Sequence, residues 1–427
     1  MRPITVKCLP VGRDWDISAR EQFNSLLAQL PGWVVVDVAD PVLHEMDVLR
    51  QVESVLGGKA DLLLLAAIHG GSARALTLAA VKYGLPVAIW CHDEKHSLAS
   101  SALAREALRQ LGHPAVLLHG QEAGTNLTSA AGGAAARIRL SKARIGHLGP
   151  THFNLVSAQT NPLTIIARFG AWVVPISISS LRSVIRSIEP EEVEAAVKSI
   201  GQTYTLLVDG DTLRMAVSMH LALARIAREQ GLDSIAVDCW NEIVPEFGVS
   251  PCFGFARDDY RIACEGDLIL AVTMIVGEAI HGMPGYVGDL YSFDEMTNII
   301  TLTHCAGCAS LHSGPGALEI ARQSPPGPAG QSGAVVACRP VLPSGQGTMA
   351  LLHGESLDLL HLRRCEILST EFSDQMKVSV RIEGDSSGFL AEVSGNHYVI
   401  FPGDCRDAWH IWAEWSGIKT QEVGNGS

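Results

Sequence analysis

The first third of the chain alternates apolar runs of strand length with amphipathic runs of helix length. The runs "ITVKCL", "DLLLLAAIHG", "PVAIWC" and "PAVLLHG" are mostly apolar, and segments such as "SARALTLAAVKY" between them repeat apolar residues at helical spacing. Fully apolar strands that alternate with helices are typical of a parallel sheet covered on both faces. Residues 1–142 are therefore predicted to form a doubly wound α/β domain.

A second series of the same kind begins near residue 143. It runs through "AWVVPISI", a long helical pattern from Asp211 to Gln230 and "SIAVDCW", and it ends near "NIITLTHC". We predict a second α/β domain over residues 143–321. Residues 322–333, "RQSPPGPAGQSG", are predicted to be a linker because Pro and Gly interrupt both helix and sheet.

Beyond residue 333 the pattern changes to short strands. "KVSVRIEG" alternates with a period of two, and "GTMALLHG", "LLHLRRCEIL" and "GFLAEVSGNHYVIF" are also strand-like. Residues 334–427 are predicted to form a small antiparallel β barrel or sandwich. The predicted fold class is α/β, with two doubly wound parallel-sheet domains followed by a small antiparallel β-barrel domain.

Composition narrows the classes of partner and compartment. The net charge of −13 over 427 residues argues against a nucleic-acid partner, which normally meets a basic surface. The most apolar helical pattern, residues 266–281, contains Glu278 and is too short to span a bilayer. We see no signal peptide, so the expectation is a cytoplasmic protein without a membrane partner, whose ten cysteines are thiols. Cys305 and Cys308 are spaced for zinc, but with no second such pair plain thiols are favoured.

Four polar residues are candidates for chemistry because they follow apolar segments. They are Glu265 in "ACEGD", Asp289 in "YVGDLYS", His304 in "LTHCAGC" and His397 in "SGNHYVIF". Ligands gather at the carboxyl ends of strands in doubly wound sheets, where Glu265 and Asp289 are expected. Two carboxylates with neutral imidazoles suit Mn²⁺ or Mg²⁺, and also Co²⁺.

Each of these residues also has a structural interpretation. Glu265 could be an acid favoured by the N-terminus of the following helix, and Asp289 could be an ordinary turn residue. The two histidines could be hydrogen-bonded structural residues. Asp267, two residues after Glu265, is predicted to cap that helix or to orient a neighbouring side chain.

The spacing of these residues resembles that of the L-fucose isomerase and L-arabinose isomerase superfamily. Glu265 and Asp289 lie 24 residues apart (289 − 265), which is similar to the fucose-isomerase pattern of two metal-binding carboxylates in the middle domain. Asn396 and His397 are similar to its Asn-His pair, whose imidazole comes from the C-terminal β domain. The resemblance implies a metal site made by Glu265, Asp289 and His397. His304 would be either a fourth ligand or a proton donor beside a substrate oxygen.

Shorter matches extend the resemblance over nearly the whole chain. Trp240 in "DCWNE", Trp90 in "IWCHDE" and Arg13 in "PVGRDWD" are similar to residues that border the sugar in that superfamily. The resemblance implies that these three and Asn396 contact the substrate. For the two tryptophans, plain core packing is the alternative.

The resemblance implies a metal-dependent aldose–ketose isomerase that acts on a small sugar through a cis-enediol intermediate. Glu265 and Asp289 would be both ligands and acid/base groups, and the metal would be Mn²⁺, with Mg²⁺ or Co²⁺ as alternatives. The expected assembly is a homo-oligomer, a trimer or a hexamer. Two other functions stay open: a metal-dependent lyase or epimerase on a sugar or sugar acid, and a non-catalytic sugar-binding protein.

Overall fold

The computed structural model describes residues 3–42, 47–48, 60–257, 260–323, 333–384 and 386–421. It divides into two compact units, Met1–Ile138 with Asp407–Gly417, and Arg139–Arg406 with Ile418–Ser427. Of the predicted linker, residues 324–332 lie outside the described residues, while Arg322 and Gln323 end a strand. The predicted domain boundaries stay a prediction.

The first unit is built on a five-stranded parallel sheet in the order β2-β1-β3-β4-β5. Its strands are β1 (Ile4–Val11), β2 (Val34–Val38), β3 (Leu62–Ala67), β4 (Val87–Trp90) and β5 (Ala115–Leu118). Its helices are α1 (Ile17–Ala28), α2 (Ala73–Tyr83), α3 (Ser97–Gln110) and α4 (Ala123–Lys142), the last of which continues into the second unit. Successive residues of β3 alternate between two separate apolar clusters, so both faces of the sheet are buried.

The second unit begins with a four-stranded parallel sheet in the order β10-β9-β6-β7. These strands are β6 (Arg144–Leu148), β7 (Trp172–Ile176), β9 (Ser234–Val237) and β10 (Arg261–Cys264), and β8 (Thr205–Leu207) pairs elsewhere. The helices are α5 (Pro162–Phe169), α6 (Ile178–Arg186), α7 (Pro190–Thr203), α8 (Gly210–Gln230), α9 (Val244–Phe247) and α10 (Leu268–His281). Helix α10 is apolar on almost every side because it packs between this sheet and the barrel described next.

The remaining strands of the second unit form a small sheet and a closed barrel. β8, β13 (Glu319–Gln323) and β14 (Val335–Arg339) make a mixed three-stranded sheet. The barrel consists of β11 (Tyr286–Asp294), β12 (Ile299–His304), β15 (Gly345–His353), β16 (Leu359–Phe372), β17 (Met376–Ile382) and β18 (His397–Pro402). Its strands are antiparallel, and pairing of β15 with both β18 and β16 closes it. The predicted fold class is confirmed.

Two assignments within this class were wrong. The segment "NIITLTHC" does not end the second parallel series as predicted; it forms β12, which pairs antiparallel with β11 inside the barrel. The segment "GFLAEVSGNHYVIF" is not one strand, because helix α11 (Ser386–Glu392) precedes β18. Short apolar runs do not distinguish parallel from antiparallel partners, nor a strand from a short buried helix.

The C-terminal segment returns to the first unit. Helix α12 (Arg406–Trp415) contributes Trp415 to one of the apolar clusters of that unit, and β19 (Lys419–Gln421), which belongs to the second unit, then pairs with β16. Throughout the described ranges, no helix combines the length and the apolar character needed to cross a bilayer.

Candidate active site

The candidate site includes the sharp turn between β10 and α10, which carries Glu265. Glu265 has φ of 59° and Gly266 has φ of 69°, so two consecutive residues are left-handed. This conformation is strained for a glutamate and persists only where the surroundings enforce it, commonly at functional sites. The turn places Asp267 at the N-cap of α10, where Oδ1 accepts a hydrogen bond from Leu270 N at 2.9 Å.

The loop that follows β6 holds this turn in place. Thr151 Oγ1 donates to the carbonyl oxygen of Gly266 at 2.8 Å, and His152 N donates to the carbonyl oxygen of Glu265 at 2.8 Å. A Cβ atom on Gly266 would lie 2.3 Å from the carbonyl oxygen of Pro150. The position therefore requires glycine for two reasons, its positive φ and the close approach of the loop.

The barrel supplies the other half of the site from β11 and β18. Asp289 and His397 are directly opposite partners in this antiparallel pair, and Asn396 Nδ2 donates to Asp289 Oδ1 at 2.7 Å. Because the carboxylate of Asp267 only accepts, His397 Nδ1 carries a proton and donates to Asp267 Oδ2 at 2.9 Å. Asp267 thus caps α10 and also orients the imidazole of His397. The sequence predicted these two roles as alternatives, and in the structure Asp267 has both.

The second ring nitrogen of His397 faces the two carboxylates. Nε2 lies 3.5 Å from Asp289 Oδ1 and 4.0 Å from Glu265 Oε2. The ring is buried, and Nε2 has no hydrogen-bond partner among the described residues. The structure therefore brings together the three side chains that the sequence singled out as ligands.

The cluster contains more acidic than basic groups, since the carboxyl groups of Glu265, Asp267 and Asp289 surround the imidazole of His397. Burial raises the pKa of the Glu265 carboxyl group, while the charge on His397 opposes that rise. Burial also lowers the pKa of His397, but the hydrogen bond to Asp267 and the nearby carboxylates outweigh it and raise that pKa to about 9. Three carboxylates around one imidazole are a setting that favours positive charge, whether a proton or a cation.

These donor atoms could hold a divalent cation after small side-chain movements. Two carboxylate groups and an imidazole nitrogen suit Mn²⁺, Mg²⁺ or Co²⁺. Within the described ranges no three His, Cys, Asp or Glu side chains are already in closed coordination geometry. The unpartnered Nε2 of His397, 3.5–4.0 Å from two carboxylate oxygens, is the observation that fits a cation.

A cavity of about 40 Å³ opens beside Glu265 and Asp289. His304 and Trp240 line it, and His304 Nδ1 is buried without a hydrogen-bond partner in the described part of the chain. The structure therefore brings both predicted residues to the same space as the carboxylates. Whether His304 binds metal or a substrate oxygen, and whether Trp240 contacts substrate, stay predictions.

Sequence reasoning missed most of the cavity wall. Besides Cys305, the thiols of Cys239, Cys252 and Cys264 line it, and Gln375 Nε2 donates to Cys305 Sγ at 3.9 Å. All ten cysteines, each at a described position, are thiols rather than disulfides. The four in the cavity come from separate segments of the chain, so no local spacing could have revealed them.

The remaining predicted residues have other settings. Asp289 is the fourth residue of antiparallel β11, so its expected place at the end of a parallel strand was wrong. Arg13 and Trp90 belong to the first unit. Arg13 N donates to His69 Nε2 at 2.9 Å, while Trp90 is 2% exposed and packs against neighbouring rings, as the core-packing alternative describes. Their contact with substrate stays a prediction.

Comparison with known proteins finds distant relatives. No family model matches the chain. It is 24% identical over 265 residues to the sulfoquinovose isomerase of Alkalicoccus urumqiensis, a match that spans 57% of each chain. With the sulfoquinovose isomerase of Priestia megaterium it is 22% identical over 333 residues, 73% of this chain and 75% of that protein. The Clostridium sp. (strain MSTE9) enzyme of the same name is 27% identical over 237 residues, 51% of this chain and 52% of that protein.

These matches show that the chain is a distant homologue of sulfoquinovose isomerases, over little more than half the length of the first relative. They support the isomerase part of the predicted resemblance. Placement in the L-fucose isomerase and L-arabinose isomerase superfamily stays a prediction.

Proposed function

We propose that this protein is an aldose–ketose isomerase for a small sugar, with Glu265 and Asp289 as its acid/base groups. The observation that carries the proposal is the convergence of both carboxylates on the unpartnered Nε2 of His397, at 4.0 and 3.5 Å, beside a cavity. The distant homology to proteins named isomerase supports the same reaction class.

A divalent cation, Mn²⁺ with Mg²⁺ or Co²⁺ as alternatives, is part of the proposal. Glu265, Asp289 and His397 would hold it, and His304 is available as a fourth ligand or as a donor to substrate. When bound, the cation would stabilise negative charge on the substrate oxygens as a Lewis acid.

The protein residues must move a proton between C1 and C2 of the sugar. Glu265 is proposed to take the proton from one carbon and return it to the other, through a cis-enediol. Asp289, fixed by its hydrogen bond from Asn396, is proposed to move the proton between the two substrate oxygens. The thiol groups and Trp240 line the cavity with weakly polar surface, which competes little with the carboxylates for hydrogen bonds.

The substrate is the open part of the proposal. Because the distant homologues are named for sulfoquinovose, this sugar is the first candidate, and L-fucose and L-arabinose follow from the predicted resemblance. A homo-oligomer, trimer or hexamer, belongs to the proposal on the same resemblance and is measured by light scattering after gel filtration.

Metal removal and replacement tests the function directly. The protein is stripped with chelator, supplied with Mn²⁺, Mg²⁺ or Co²⁺ separately, and incubated with each sugar in D₂O under proton NMR. We expect metal-dependent loss of the C2 proton of one aldose as its ketose appears. Exchange at C2 without a ketose would instead indicate an epimerase, and cleavage into smaller products a lyase. Binding of sugar without any exchange would indicate a sugar-binding protein.

Asp267 offers a test of the metal site that leaves the acid/base groups untouched. In Asp267→Asn the amide oxygen can still cap α10, but the charge that orients His397 is lost. We expect affinity for Mn²⁺, measured by calorimetry on stripped protein, to fall about 10–100-fold, as is usual when a partner of a ligating histidine is changed. The thermal transition should move little.

The matched control is Asp209→Asn. Asp209 caps α8 in the same way, accepting from Thr212 N at 2.8 Å, but it is exposed. This variant should bind Mn²⁺ like the unmodified protein. Equal Mn²⁺ affinity in Asp267→Asn and Asp209→Asn would show that His397 does not ligate the cation.

A further inference from the structure

The loop after β6 carries an imidazole, His152, to which the proposed function gives no role. β6 belongs to the parallel sheet, and the loop leaves its carboxyl end, next to the turn that carries Glu265. The side chain of His152 is 4% exposed. Buried imidazole nitrogens normally have hydrogen-bond partners, and this edge of a parallel sheet is where ligands bind. We therefore expect a hydrogen-bond partner for His152.

The hydrogen bonds of His152 show which of its two ring nitrogens has no partner among the described residues. Nδ1 accepts from Asn154 N at 3.2 Å, so in the neutral ring the proton is on Nε2. Nε2 is buried and has no hydrogen-bond partner among residues 3–42, 47–48, 60–257, 260–323, 333–384 and 386–421. The ring therefore presents one N–H donor that nothing in the described protein uses.

The backbone of His152 is held against the turn that carries Glu265. Its N–H donates to the Glu265 carbonyl oxygen at 2.8 Å, and its carbonyl oxygen accepts from Leu155 N at 2.9 Å and from Gln159 Nε2 at 3.0 Å. The two residues are thus joined through their backbones at this edge of the sheet.

We propose that His152 is a catalytic hydrogen-bond donor, whose Nε2–H binds a substrate oxygen next to the carbon on which Glu265 acts. The inference rests on the proposed isomerase function and adds a residue to it. When a proton leaves that carbon, negative charge develops on the adjacent oxygen, and a donor already in place stabilises it without reorganisation. No proton transfer by His152 is required.

Two amide substitutions separate this role from a structural one. In His152→Gln the amide nitrogen can reach the place of Nε2, so the donor is kept and the bond from Asn154 N is lost. In His152→Asn the amide oxygen can take the place of Nδ1, so the Asn154 bond is kept and the donor is lost. We expect kcat for C2 exchange to fall about 100–1,000-fold in His152→Asn with little change in KM, since loss of one such donor costs about 10²–10³ in kcat. His152→Gln should stay within about fivefold.

The inference is decided by which of the two variants, His152→Asn or His152→Gln, loses more activity. A loop-holding role alone gives the opposite order, with His152→Gln the more impaired and the lower-melting variant. Activity is measured below the thermal transition of each variant, and exposed His113→Asn serves as the control, expected to match the unmodified protein. Equal or reversed losses with an active unmodified protein would overturn this inference alone. An unmodified protein that exchanges no aldose with any metal would overturn the proposed function and this inference with it.

Discussion

Replacing Glu265 by Gln is expected to abolish C2 proton exchange and to leave the fold intact. The amide has the size of the carboxylate but cannot accept the substrate proton, and general acid–base groups contribute about 10²–10⁴ in rate. Among the residues that the structure describes, the Glu265 side chain has no hydrogen bond that holds the turn; the bonds from Thr151 and His152 go to backbone oxygens. We therefore expect exchange, followed by NMR in D₂O at saturating Mn²⁺, to fall at least about 10³-fold.

The control for this variant is Glu366→Gln. Glu366 lies on β16 of the same unit, where it is exposed and pairs with Arg381. Exposed ion pairs contribute little, so both its activity and its melting temperature should match the unmodified protein. If Glu265→Gln retains more than about a tenth of the exchange rate while Glu366→Gln is normal, another group is the base. Asp289, on the other side of His397, would be the next candidate.

The overall architecture could be predicted because the spacing of apolar residues within a short segment indicates whether that segment is a helix or a strand and which of its faces are buried. In β3 every residue is apolar, and the structure shows alternate residues entering clusters on the two faces of the parallel sheet. The pattern could not show which strands β11 and β12 would join. Pairing such as Tyr286 with Ile400 is decided by contacts more than a hundred residues apart in sequence.

The site was predictable to the extent that its residues stand at recognisable points of the chain. Glu265 follows an apolar strand and precedes an apolar helix, as expected, and the resemblance led to Asp289 and His397. Apart from the neighbouring glycine, nothing in the sequence indicates the left-handed backbone conformation of Glu265. His152 lies in a loop without periodicity, and its nearness to Glu265 depends on adjacent β6, β9 and β10.

The largest combined effect on stability and activity is expected from Gly266→Ala. The new Cβ would lie 2.3 Å from the Pro150 carbonyl oxygen and 2.9 Å from Thr151 Cα, both backbone atoms that cannot turn away. At φ of 69° alanine also adds roughly 1–2 kcal/mol of backbone strain. The turn must then separate from the loop, which breaks the hydrogen bond from Thr151 Oγ1 to Gly266 O. We expect unfolding free energy, from guanidinium titration, to fall by about 2–4 kcal/mol.

Activity should fall further than stability alone would require, because Glu265 is part of the displaced turn. A shift of about 1 Å in a reacting group can cost about 10²-fold in rate, so exchange in the folded variant should drop by at least that factor. Gly231→Ala is the matched control: it has φ of 61° at the end of α8, and its nearest neighbour would be Arg144 Cδ at 3.9 Å. It carries the same left-handed strain without the clash, so it should lose only about 1–2 kcal/mol and keep full activity. If the two variants behave alike, the loop after β6 does not position Glu265, and the strain of that residue has another cause.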